Sequence, residues 1–150
     1  MKHAHSRKAE FDFRWPADPL HVVLVHPEIP PNTGNVARLC AATGTRLHLV
    51  EPLGFQITDA QLRRAGLDYW DAVQVQVHPS WPACLDALQA ARLFFYSTGS
   101  SRPYTKIEYR AGDALVFGCE TKGLPDDLLA AHADSVCGIP IQTQHVRSLN

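Results

Sequence analysis

The sequence is short of the features that announce a metal centre, a secreted scaffold or a membrane span. Its four cysteines, Cys40, Cys84, Cys119 and Cys137, stand far apart and form no CxxC pair. A disulfide framework wants denser cysteine in a small secreted chain, and a structural zinc site wants clustered ligands. Four reduced thiols packed as small apolar groups are therefore expected. The eight histidines are scattered, His3 and His5 among the first residues, and no HxxxH pair falls on a predicted helix, so no metal is expected. No apolar run approaches the ~20 residues of a membrane helix. The opening MKHAHSRKAEFDFRWPADPL carries basic residues but no apolar core, which excludes a secretory signal. Residues 1–20 read as a flexible, mildly basic arm ahead of one domain over 21–150, in a cytoplasmic protein with no membrane attachment. A net charge of −1 also lacks the basic footprint of a nucleic-acid binder. Any RNA partner must meet a local positive field, or one assembled from two copies.

What is present is an alternation of short apolar runs with helical stretches. HVVLV (21–25) is a continuous apolar run of the kind buried parallel strands carry. Pro27, Pro30 and Pro31 argue against regular structure until Asn32 or Thr33, either of which can cap a helix running to about Thr43, with Gly44 as its stop. LHLV (47–50) is the next strand, and TDAQLRRAG (58–66) a short helix ended by Gly66. VQVQV (73–77) alternates with period two and suits a sheet edge. Ser80 can cap a helix through Ala91, with Pro82 in its first turn. RLFFY (92–96), ALVFG (114–118) and SVCGIPI (135–141) are further strands, and PDDLLAAH (125–132) is a helix opened by proline and acidic residues. This order predicts an α/β fold, a mostly parallel sheet flanked by helices, in a chain of 150 residues able to bury one core.

Three stretches can carry chemistry. In PEIPPNTGNVARLCAATG (27–44), helical spacing puts Val36, Leu39, Cys40 and Thr43 on a packing face and Asn35 with Arg38 and Ala42 on another. Asn32 and Gly34 stand at the helix N-terminus, where free N–H groups favour an anion such as phosphate. The plainer reading of the same pattern is a capped helix with an exposed arginine. In LVFGCETKGLP (115–125) a strand ends in glycine, a carboxylate follows, and a turn opens the next helix; ligands of α/β sheets bind beyond such strand ends. An ordinary tight turn with a solvated Glu120 fits equally well. GIPIQTQHVRSLN (138–150) runs from an apolar strand into a polar loop. No GxGxxG or GxxxxGK[ST] pattern occurs, which disfavours a dinucleotide site or a P-loop.

Taken together and in order, EIPPNTGNVARLCAATGTRLHLVEPLGF, LRRAGLDYW, FGCETKGLP and IPIQTQHVRSLN resemble the signature motifs of the SpoU–TrmD (SPOUT) RNA methyltransferases. The likeness covers residues 21–150 and is strongest to the compact branch that methylates the ribose of tRNA nucleotide 34, on cytidine or uridine. It implies an α/β fold whose C-terminal part forms a trefoil knot, a rare exception to ordinary topology. It implies S-adenosyl-L-methionine as methyl donor (S-adenosyl-L-homocysteine as product), no metal, a tRNA substrate, and a homodimer with the active site at the subunit interface. By motif position, Tyr96, Gly118, Ile139 and Ser148 would hold the donor. Arg38, Asn35 and Glu120 would serve catalysis. Asn32, Arg63, Arg64 and Asn150 would meet the RNA, although Arg63 and Arg64 also suit a solvated basic helix face.

A guanidinium is cationic at neutral pH, so Arg38 acts as base only where its surroundings strongly favour its neutral form; the preferred reading is that it orients the ribose hydroxyl and steadies phosphate while another group takes the proton. Alignment supplies much of such a rate, effective molarities of ~10⁵ M or more being attainable. The family continues with a further helix after the SLN motif, whereas the sequence stops at Asn150, so that helix is not contained in it. Three alternatives stay open: the same chemistry on another RNA such as rRNA, a non-catalytic RNA- or nucleotide-binding homologue, and a plain α/β domain for some other small anion.

Overall fold

In the computed structural model of the protein, residues 11–58, 60, 72–142 and 146 are described. Six strands form one sheet: β1 (His21–Val25), β2 (Arg46–Val50), β3 (Val75–His78), β4 (Leu93–Tyr96), β5 (Ala114–Phe117) and β6 (Val136–Cys137). Their order is β3-β2-β1-β5-β4-β6, and every neighbouring pair is parallel. Helices α1 (Pro30–Thr43), α2 (Trp81–Ala87) and α3 (Asp126–Ala131) cross between strands, as parallel neighbours require. The α/β reading of the sequence therefore holds, and VQVQV does contribute an edge strand.

Alternation along the strands builds two cores. Val23, Val25, Val50, Phe95, Ala114 and Val116 pack with Cys84 and Leu88 from the α2 segment and Leu128 of α3. Leu24, Leu47 and Leu49 point the other way, onto Ala37 and Cys40 of α1. Strands buried on both faces are largely apolar on both, which is why HVVLV reads as a continuous run; LHLV departs from this by burying a histidine, His48, on the face opposite Leu47 and Leu49.

Several boundaries differ from the sequence reading, each for a physical reason. α1 begins at Pro30 rather than after the prolines, because Pro30 and Pro31 occupy its first positions, where a missing N–H costs nothing. Its inward face is Thr33, Gly34, Ala37 and Cys40; Leu39 is 63% exposed and Thr43 is exposed, so the predicted packing face was rotated toward solvent. Small residues there let the helix lie close to Leu24, Leu47 and Leu49, a packing preference that apolar periodicity does not register. Gly44 ends the helix with φ 69°, in the left-handed region glycine tolerates. Ser80 caps α2 by accepting from the Ala83 N–H, but the helix stops at Ala87 instead of Ala91. The last strand is only Val136–Cys137, since Gly138 turns to bond the 102–104 loop. The predicted helix over 58–66 lies largely outside the described residues. Among the described residues, no helix is long and apolar enough to cross a membrane.

Candidate active site

The strand order creates a crevice. After β1 the chain moves outward through α1 to β2, whereas after β5 it moves the opposite way toward β6, although β1 and β5 are neighbours. Connections that diverge from adjacent strands leave a gap beyond their carboxyl ends, the usual ligand position in such sheets. The two loops flanking that gap are PEIPPN and GCETKG, the stretches singled out above.

They are tied together by a reciprocal clamp. Glu120 accepts from the Glu28 N–H at 2.8 Å through Oε2, and from the Ile29 N–H at 3.1 Å and Asn32 Nδ2 at 3.4 Å through Oε1. Glu28 in turn accepts at Oε1 from the Thr121 N–H at 3.0 Å and the Thr121 hydroxyl at 2.7 Å. Those bonds from Thr121 hold the Glu28 carboxyl below the usual carboxylate range. β1 hands over to this loop at His26, whose φ of 56° turns the chain sharply; its N–H and Nδ1 both approach the Val50 carbonyl, at 3.0 and 3.2 Å. Gly54 lies against the other side of the loop, and a Cβ there would come within 2.9 Å of the Glu28 backbone.

The clamp corrects one expectation. The N-terminus of α1 is not a waiting phosphate site: Pro30 and Pro31 have no N–H, and the Asn32 and Thr33 N–H groups bond the Ile29 carbonyl at 3.1 and 3.4 Å. The positive end of the helix faces the carboxylate of Glu120, which α1 borrows from another loop in place of a capping side chain. Asn32 is held by that carboxylate too. Asn35 and Arg38 project from the exposed side of α1 with Ala42, and Leu39 shares that exposure.

Three of the four predicted donor-binding positions fall at the ends of three adjacent strands. β4 lies between β5 and β6, so Tyr96 at the end of β4, Gly118 just past β5 and Ile139 just past β6 fall side by side, although separated in sequence. Tyr96 stacks on Phe117 with ring centroids 4.6 Å apart. Its hydroxyl lies 2.7 Å from that of Tyr109, whose own proton goes to the Tyr104 carbonyl, so Tyr96 is the donor. Burial first, and then this bond, push the Tyr96 phenol above its ordinary range. Gly118 abuts the Gly123–Leu124 backbone so closely that a Cβ has no room, and a Cβ on Gly138 would meet the Ser100 carbonyl oxygen at 2.7 Å. These loops approach one another on bare backbone, which suits a ligand gripped largely by main-chain groups.

Arg63, Arg64, Ser148 and Asn150 lie outside the described residues. Sequence reasoning missed Glu28, Thr121 and Tyr109. Glu28 opens the EIPPN motif, but nothing local signals a carboxylate that bonds a residue 93 positions away.

Known proteins resemble this chain over most of its length. The profile of the SpoU rRNA Methylase family matches residues 19–150. A tRNA (cytidine(34)-2'-O)-methyltransferase of Methylovorus glucosotrophus is 55% identical over 107 residues, 71% of this chain and 70% of that protein. A solved structure described as giving insight into the 2-OH methylation of C/U34 on tRNA superposes with a TM-score of 0.83 at 46% identity, over 89% of this chain and 86% of its own. An AdoMet-bound rRNA methyltransferase from Sinorhizobium meliloti shares the fold, with a TM-score of 0.78 at 23% identity over 93% of this chain and 53% of that one. A match spanning both clamp loops and all six strands has one meaning: the chain belongs to the SpoU rRNA methylase family.

Proposed function

We propose that the protein transfers a methyl group from S-adenosylmethionine to the ribose 2′-hydroxyl of nucleotide 34 of a tRNA. The observation that carries this reading is the clamp between Glu120 and the Glu28–Asn32 loop, together with the likeness, over most of the chain, to proteins named or described for nucleotide 34 of tRNA. The family's description names rRNA, but relatives at 55% and 47% identity are named tRNA (cytidine(34)-2'-O)-methyltransferases, which favours the anticodon reading.

The donor supplies an electrophilic methyl on a cationic sulfonium. Gly118, Tyr96 and Ile139 would hold it, with Ser148 from the tail, and their neutral, partly apolar character fits an adenosine better than a phosphorylated cofactor. Arg38 is the catalytic residue of this reading: it orients the 2′-hydroxyl and pairs with the adjoining phosphate while a neighbouring acceptor takes the proton. Asn35, one turn earlier on the same face, adds an amide contact. Glu120 is a positioning residue, fixing the start of the helix that bears Arg38. Asn32, Arg63, Arg64 and Asn150 complete the RNA contacts.

The active unit is a homodimer in the cytoplasm. Leu39, 63% exposed beside Asn35 and Arg38, supports a second copy covering this face and closing the site. The C-terminal part would form a trefoil knot, a reading supported by the Gly138 N–H bond to the Arg102 carbonyl and the Tyr104 N–H bond to the Gly138 carbonyl, which join the end of the last strand to the 102–104 loop. Residues 1–20 act as an arm and 21–150 as the methyltransferase domain.

The test is incubation of the purified protein with labelled donor and tRNA lacking this modification, followed by mapping of 2′-O-methyl through nuclease resistance. Label at nucleotide 34, abolished in Arg38→Ala, is expected. Label on rRNA alone, or at 34 in both proteins equally, refutes the assignment.

A further inference from the structure

On the sheet face covered by α2, away from the proposed site, three metal-ligating side chains meet in the core. His48 comes from β2, His78 from the end of β3 and Cys84 from α2, and their ligand atoms all lie within 4.8 Å of one another. They are buried to 2%, 8% and 0% exposure. We propose that His48, His78 and Cys84 form a binding site for a thiophilic metal ion, Zn²⁺ or Cu⁺.

The chemistry selects that class. Two imidazole nitrogens and a thiol sulfur are borderline-to-soft donors, and no carboxylate accompanies them among the described residues, which disfavours Mg²⁺ and Ca²⁺. A tetrahedral zinc with bonds of about 2.0–2.3 Å spaces its ligands about 3.3–3.6 Å apart. His48 Nδ1 and His78 Nε2 stand 2.9 Å apart, so small side-chain rotations open that pair and draw the sulfur in. The rings are already nearly parallel, at 17°.

The surroundings match those of metal sites. The other nitrogen of His48, Nε2, lies 2.9 Å from His21 Nδ1, the kind of outer partner that fixes a ligating histidine's tautomer and orientation. A cavity of about 410 Å³ lined by His21, Arg46, His48, Gln74, Gln76 and Ala87 opens beside His48, on the side of its His21 partner. Uptake releases the Cys84 proton to solvent and leaves a thiolate–metal bond. With Cu⁺ that pair is neutral, whereas Zn²⁺ leaves one positive charge facing Arg46. The three ligands bridge β2, β3 and α2, so the ion acts as a staple at the sheet edge; β5, which leads to Glu120, is separated from β3 by β2 and β1.

The experiment uses the full chain, stripped with a chelator and titrated with Co²⁺ as a spectroscopic stand-in for zinc. A thiolate-to-cobalt charge-transfer band saturating at one ion per chain is expected, bleached by Zn²⁺ and untouched by Mg²⁺; a parallel arm measures Cu⁺ uptake against a competing chelator. Cys84→Ala loses the band, His78→Gln weakens cobalt binding by at least about tenfold, and Cys119→Ser keeps both. Ring-nitrogen NMR of the unaltered chain serves if a variant does not fold: Zn²⁺ or Cu⁺ moves His48 Nδ1 and His78 Nε2 and leaves His132 in place. Absence of any band, retained ion and ring shift in the wild-type chain overturns the proposal, as does a band that survives in Cys84→Ala.

Discussion

Replacing Glu120 by glutamine is expected to loosen the proposed active site from its foundation. The carboxylate accepts three N–H groups, from Glu28, Ile29 and Asn32. A glutamine has one oxygen and one NH₂. Its best orientation keeps the oxygen toward Ile29 and Asn32 and turns the NH₂ against the Glu28 N–H, donor facing donor. One charge-assisted bond is then lost and two become neutral, at about 1.5–3 kcal/mol for a charged bond against about 1 for a neutral one. The helix also loses a negative charge at its N-terminus, about 0.3–1 kcal/mol. Partial exposure of the site trims the total to about 2 kcal/mol. With a urea dependence of about 1–3 kcal/mol per molar, the unfolding midpoint should fall by roughly 1 M. Turnover on tRNA should fall with it, while affinity for the donor, proposed to bind at the ends of β4, β5 and β6, should change less than about threefold. A midpoint that does not move, or a donor affinity that collapses while turnover on saturating donor is retained, would refute the clamp as described.

Four shorter predictions accompany it. Thr33 buries a hydroxyl with no hydrogen-bond partner among the described residues, so Thr33→Val should stabilise by about 1 kcal/mol and raise Tm by about 2–4 °C in a calorimetric scan. Asp113 is raised by burial but more strongly lowered by the paired Arg92 guanidinium (2.9 and 2.7 Å) and the Arg110 N–H, and Glu28 is lowered by Thr121. Both carboxyls are depressed in the folded state, so their stabilisation is complete above the unfolded values and is lost as pH falls through the folded ones. Urea midpoints should drop below about pH 4, with a shallower slope in Asp113→Asn. Leu39→Arg should turn a dimer into a monomer by sedimentation without unfolding it, because the residue is already exposed in a single chain. In Gly138→Ala the new methyl would meet the Ser100 and Ser97 carbonyl oxygens at 2.7 and 3.1 Å, both backbone; a destabilisation of about 1–3 kcal/mol and a loss of donor binding by calorimetry should result.

Local sequence determined a good deal of this protein. Continuous apolar runs such as HVVLV specify strands buried on both faces, Gly44 stops α1 because it alone adopts a left-handed φ without strain, and Ser80 starts α2 through its own side chain. Each of these depends on neighbours within a few residues. The motifs also marked the PEIPPN and GCETKG loops as the places to look. What only the tertiary structure decided is everything that turns on strand order. Because β5 inserts between β1 and β4, Glu120 reaches a loop some 90 residues away and caps a helix whose own N-cap has no side-chain acceptor. The same insertion aligns Tyr96, Gly118 and Ile139. Likewise the pairing of β1, β2 and β3 gathers His21, His48 and His78, which are scattered in sequence, into one hydrogen-bonded row. Periodicity reports which face of an element is apolar, but it carries no record of which strand lies beside which; that is set by how all the helices and strands bury their faces at once.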